Sequence, residues 1–260
     1  MKTLRVVLFL ALTGCTSASK MPVRPEMQRN AEEPAAEVVL GAEVLESLPE
    51  GSWRYKITEA AKSEWQYFGQ QLVVIDGYDE SIPHVGIWED EDDSHSDRIN
   101  QYWRAVGKSR LSGYDCKQPW SAAFISWIMQ TVDVSKSLFP PSGAHWVYLH
   151  HFLANANNPD AVFIPHTIEQ YKPKPGDLIC AVRSNYTPTD VIRELPVSLI
   201  SSRLHCDIVV ESNGETLQVI GGNVRNSVSK TILTLSQDGY VQSTSRRPWF
   251  LIIENRLGRR

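Results

Sequence analysis

The chain has 260 residues, 42% of them hydrophobic and 22% charged, which is enough for one domain with a sizeable core plus tails. Its formal charge is -4 at pH 7 with no basic stripe, which argues against a nucleic-acid partner. It has no glycine loop for phosphates and no Cys/His spacing suited to a metal, so neither cofactor nor metal is expected.

The first fifteen residues start with Lys2 and Arg5, run through Val6-Val7-Leu8-Phe9-Leu10-Ala11-Leu12 and end in Leu12-Thr13-Gly14-Cys15. The apolar run is too short to span a bilayer and has the form of a secretion signal. Leu12-Thr13-Gly14-Cys15 resembles the bacterial lipobox, which implies removal of residues 1–14 and acylation of Cys15. Thr16 stands where inner-membrane lipoproteins keep an aspartate, so the resemblance implies an outer-membrane lipoprotein with its domain facing the periplasm. Residues 15–45 contain Pro22, Pro25 and Pro34 and no apolar period, as expected of a lipidated flexible tether. Residues 46–260 then form the domain.

Between Trp53 and Gln70, the positions Ile57, Ala61, Trp65 and Phe68 recur at helical spacing, with Gly69 as a stop. The acidic run Glu89–Asp97 lacks the ligand alternation of a calcium loop and is expected to be a solvated loop. Ile99, Tyr102, Trp103 and Val106 mark a second, short helix. In the next segment Trp120, Phe124, Trp127 and Ile128 share one helical face, and Pro119 suits the helix start. Ser121 therefore falls in the first turn. Unpaired N–H groups and the positive end of the helix dipole favour an anionic nucleophile or a developing oxyanion there, although a plain first-turn serine satisfies the same pattern. After Pro140-Pro141 a further helix is expected, capped by Ser142 and carrying His145 in its first turn. The adjacent His150 and His151 cannot share a helix face and are expected at the rim.

Five strands are predicted: 177–183, 205–211, 217–221, 228–235 and 249–254. Helices first and closely connected strands after predict an α+β domain with an antiparallel sheet of about five strands. The insert 184–204 has the length of a lid or binding loop. Cys180 and Cys206 fall on strands expected to be neighbours, where they are either a disulfide pair or, by preference, buried small apolar residues. A two-residue turn would pair His205 with Gly222. A three-residue turn over Asn213, Gly214 and Glu215 would put His205 opposite Asn223, which could then hold the imidazole. Asp207, two residues along the strand, shares the face of His205 and either tunes the ring or is a solvated rim acid.

Trp120-Ser121-Ala122-Ala123-Phe124-Ile125 resembles the Trp-Cys-Ala-Ala-Phe-Val helix of the CHAP and NlpC-type papain-like amidases and endopeptidases of bacterial cell walls. Pro175-Gly176-Asp177, His205-Cys206-Asp207-Ile208-Val209-Val210 and Gly222-Asn223 resemble that family's later motifs, in the same order. With Ser142-Gly143-Ala144-His145 and Gly221-Gly222-Asn223-Val224 added, the pattern looks like an uncharacterised lipoprotein domain, the domain of unknown function 2272. The resemblance implies a papain-like, CHAP-like fold and a hydrolase of peptide or amide bonds in peptidoglycan. It implies Ser121 as nucleophile, His205 as base and Asn223 as orienter, with Trp120, His145 and Asp207 around the substrate. The implied partners are wall peptides and, through the N-terminal lipid, a membrane. The departure is Ser121 itself, since a neutral hydroxyl is a far weaker nucleophile than the family's thiolate unless a base removes its proton. Cys116 is the lesser candidate. The alternative function is a catalytically silent papain-like lipoprotein that binds a wall peptide or a partner protein.

Overall fold

The structure, a computed structural model, describes residues 48–183 and 187–258. Cys15, the signal segment and the tether up to residue 45 lie outside the described residues. No helix among the described residues is long and apolar enough to cross a membrane.

The first helix, α1 (Trp53–Tyr67), starts at Ser52, whose hydroxyl accepts from the Tyr55 N–H. The hairpin β1 (Gln71–Asp76) and β2 (Asp79–His84) follows, then α2 (Asp93–Ala105), α3 (Ser121–Thr131) and α4 (His145–Ala154). Next come β3 (Phe163–Thr167) and β4 (Leu178–Val182), then the two short helices α5 (Pro188–Arg193) and α6 (Ser198–Ser201) inside the predicted insert. Strands β5 (Leu204–Ser212), β6 (Thr216–Val224), β7 (Ser227–Thr234) and β8 (Trp249–Asn255) complete the domain.

The protein is a mixed α+β fold built on an eight-stranded sheet in the order β2-β1-β7-β6-β5-β4-β8-β3. That corrects the expectation of about five antiparallel strands: three more are present, and the β1–β7 seam is parallel. For two of the three, the reason lies at the edges of the sheet. Strand β2 (DESIPH) is exposed almost throughout and contains Pro83, while β3 (FIPHT) contains Pro165. Polar, proline-bearing edge strands carry no apolar alternation. The solvated-loop expectation for Glu89–Asp97 also gives way. Asp92 caps α2 by accepting from the His95 N–H at 2.9 Å, and Glu89, His95 and Ser96 are buried.

Helices pack on one face of the sheet. Phe124 and Ile128 of α3, Tyr148 and Phe152 of α4, and Cys206, Ile208 and Ile220 of the sheet share one core. Val209, Val219 and Ile252 belong to a second core on the other face. Cys180 and Cys206 are directly opposite on β4 and β5 and are joined in a buried disulfide, with Cα atoms 4.1 Å apart, rather than packing as two small apolar side chains. Helix α3 lies so close to β6 that a Cβ at Gly222 would meet Phe124 Cβ and the Trp120 ring at 2.6 Å. Trp127 is half-buried at the edge of this core, with the Arg98 guanidinium 5.8 Å from its ring.

Phe124 is fully buried at this seam. Phe124→Ala is expected to cost about 3 to 5 kcal/mol in urea-induced unfolding. A loss below about 1 kcal/mol would contradict the packing described.

Candidate active site

The middle of α3 is anchored to the segment just ahead of α4 by one pair of serines. Ser126 Oγ donates to the Ser142 carbonyl, and the Ser142 N–H donates back to Ser126 Oγ, both at 3.0 Å. Ser142 Oγ in turn accepts from the Ala144 N–H at 3.1 Å. Ser142 was the expected helix cap, but Ala144 takes the cap position without a side-chain bond and His145 is the first helical residue. These ties set the first residue of α4 against the first residue of α3.

Ser121 Oγ and His145 Nε2 are 2.7 Å apart, with both residues buried. His145 Nδ1 is hydrogen-bonded to the Tyr148 hydroxyl one helical turn on. Burial holds His145 well below the ordinary 6.5, helped by the nearby His205 and by the Arg183 charge, so the ring is neutral at pH 7. Burial likewise holds the Tyr148 phenol protonated. In the base-competent tautomer Ser121 Oγ–H donates to Nε2, and Nδ1–H donates to the Tyr148 oxygen. The first N–H groups of α3 have no intrahelical acceptor, and no side chain caps them.

His205 is not the partner of Ser121. Its Nε2 is 2.7 Å from Asp207 Oδ1, both residues are buried, and its Nδ1 has no hydrogen-bond partner among the described residues. Strand alternation explains the difference. Cys206 occupies the position facing the helices, so His205 and Asp207 turn to the other side of β5. There Asp207 fills the space left by Gly221, where a Cβ would sit 1.7 Å from its Oδ1. Burial lowers the His205 pKa, opposed by Asp207 and reinforced by Arg183 and Arg247. The His145 and His205 rings stand edge to face with centroids 5.8 Å apart.

Asn223 does not orient His205 either. The ladder pairs Ser212 with Leu217 and, after a bulge between Val209 and Glu211, Ile208 with Ile220. Continued past Ile208, that register sets His205 level with Asn223, so the bulge reaches the alignment that a three-residue turn would have given. At Asn223, however, φ is 57°, which turns the residue out of the ladder. Its Nδ2 donates to Glu89 Oε2 at 3.0 Å, an oxygen that also accepts from the Trp120 indole N–H. Trp120 is buried and acts from behind the helix start rather than as a wall for a ligand.

Glu89 is thus a residue of the site that the sequence did not single out, hidden in an acidic run. Burial pushes its carboxyl up to about 7, against the hydrogen bond from Trp120. A cleft of ≈ 590 Å³ opens over these residues, and His145, Trp146, Asn223 and Cys116 are among those lining it.

The chain belongs to the family described as an uncharacterised protein conserved in bacteria (DUF2272), which matches residues 63–255. No curated protein and no solved structure matches the chain.

Because the Glu89 carboxyl titrates at about 7 when folded and near 4.5 when unfolded, the folded state holds the extra proton between those values. Stability contributed by the protonated group is complete below pH 4.5 and lost as pH rises through 7. Glu89→Gln keeps an acceptor for Trp120 and Asn223 without titrating. Relative to that variant, the wild type is expected to lose up to about 3 kcal/mol across this window in chemical unfolding. Parallel pH profiles for the two proteins would contradict the assignment.

Proposed function

We propose that the protein is a serine hydrolase of peptide or amide bonds, directed at cell-wall peptides, with a papain-like arrangement in which His145 has taken the place beside the nucleophile. The observation that carries this reading is the 2.7 Å contact between Ser121 Oγ and His145 Nε2 at an uncapped helix N-terminus. The resemblance to the CHAP and NlpC-type amidases supports the substrate class. His145 takes the Ser121 proton as Oγ attacks the carbonyl carbon, and the N–H groups of the first turn of α3 receive the oxyanion. The protonated His145 then gives its proton to the leaving amine, and water hydrolyses the acyl-serine with His145 again as base. Tyr148 orients the ring.

A second reading, a catalytically silent wall-peptide or protein binder, is favoured by one observation: Ser121 is only 3% exposed, behind His145. The lipobox-like Leu12-Thr13-Gly14-Cys15 supports an outer-membrane lipoprotein with its domain in the periplasm.

The full chain incubated with purified peptidoglycan is expected to release fragments detectable by mass spectrometry. Ser121→Ala and His145→Gln should each slow release by about a hundredfold or more. Since His145 must be neutral and its pKa lies below 6.5, activity should persist as pH falls through 6.5 and fail only at lower pH. An acidic limb centred at or above that value would exclude His145 as the base, and undiminished release by Ser121→Ala would leave the binding reading. Separately, Cys15→Ser is expected to accumulate as unprocessed, unacylated precursor, and normal processing of that variant would remove the lipoprotein assignment.

A further inference from the structure

Three cations line the same cleft: Lys117 from the segment ahead of α3, Arg183 just past β4, and Arg203 just ahead of β5. All three are exposed, and none takes part in an ion pair among the described residues. No carboxylate is among the described residues that line the cleft, in a chain whose formal charge is -4. The two arginines are not neighbours by accident of a loop. The β4–β5 ladder pairs Val182 with Leu204, and the Arg183 N–H donates to the Arg203 carbonyl at 2.6 Å, so Arg183 and Arg203 are opposite each other on the adjoining backbones. Burial and the charges of Arg247 and Arg225 disfavour the Arg183 cation, against the attraction of Asp207. Arg203 and Arg183 line this cleft together with His145.

We infer that Arg183, Arg203 and Lys117 form an anion subsite that receives a free carboxylate of the peptide ligand beside His145. Guanidinium groups match a carboxylate with two parallel hydrogen bonds, and an incoming anion offsets the unfavourable charges of Arg247 and Arg225 on Arg183. The subsite deepens the hydrolase reading, on which its substrate class rests, by defining what the substrate carries next to the reacting carbonyl: an acidic group, not an apolar one.

The test uses the full chain carrying Ser121→Ala, so that nothing turns over, and calorimetric titration with stem peptides released from purified peptidoglycan. One arm has their carboxylates free and the other has them converted to amides. The free-acid peptides are expected to bind at least about tenfold more tightly, and the further changes Arg183→Gln and Arg203→Gln should together abolish that preference. Both arginines are exposed, and an unchanged thermal melt would establish that the variant folds. Equal affinity for the two peptide forms, no binding of either, or a preference that survives the double change would overturn the subsite. Displacement of the peptide by inorganic phosphate as readily as by free glutarate would overturn the carboxylate assignment. If the preference holds while the wild type releases no wall fragments, hydrolysis fails and the subsite stands.

Discussion

Two adjacent glycines decide how closely everything else can approach. Gly222 faces the helices, and its missing side chain lets the first turn of α3 rest directly on β6 through Phe124 and Trp120. Gly221 faces the other way, and the space over it is filled by Asp207, which holds His205. Side chains in a strand alternate between faces, so neither glycine can serve both purposes. A Cβ at Gly222 would push the helix off the sheet, and with it Ser121. A Cβ at Gly221 would displace the carboxylate that fixes the second imidazole.

The site is assembled from groups that burial keeps neutral. His145 and His205 are held below their ordinary range, Tyr148 stays protonated, and Glu89 titrates near neutrality behind the helix start. The charges that remain are displaced to the cleft rim, where Lys117, Arg183 and Arg203 meet solvent. A neutral base beneath a cationic rim suits the proposed reaction. The base begins uncharged, and the charge that develops on Ser121 and the carbonyl oxygen arises beside α3's unpaired N–H groups.

Much of the fold was legible because periodicity reports burial. The four principal helices and the strands β4 to β8 follow apolar patterns at 3.6- and 2-residue spacing. Strands β2 and β3 were hidden because edge strands need no apolar face, and Glu89 because an acidic run is normally solvent-exposed. Ser121 and its helix start were recognisable from Pro119 and the Trp120–Phe124 spacing. Its partner was misassigned, since the choice between His145 and His205 depends on where the Ser126–Ser142 hydrogen bonds bring α4, a contact between segments with no local signature. The β5–β6 ladder does not extend to His205 and Asn223, and the positive φ at Asn223 directs its side chain to Glu89 rather than to the ring.

The central claim is that Ser121 is activated by His145. It is tested most directly by labelling with a fluorophosphonate, which reacts with base-activated serines irrespective of the natural substrate. Mass spectrometry of the wild type should find a single adduct, on Ser121, and His145→Gln should slow its formation by at least about a hundredfold while His205→Gln leaves most of it. An adduct that forms on Ser121 at the wild-type rate without the His145 imidazole, or one that depends on His205 instead, would contradict the account.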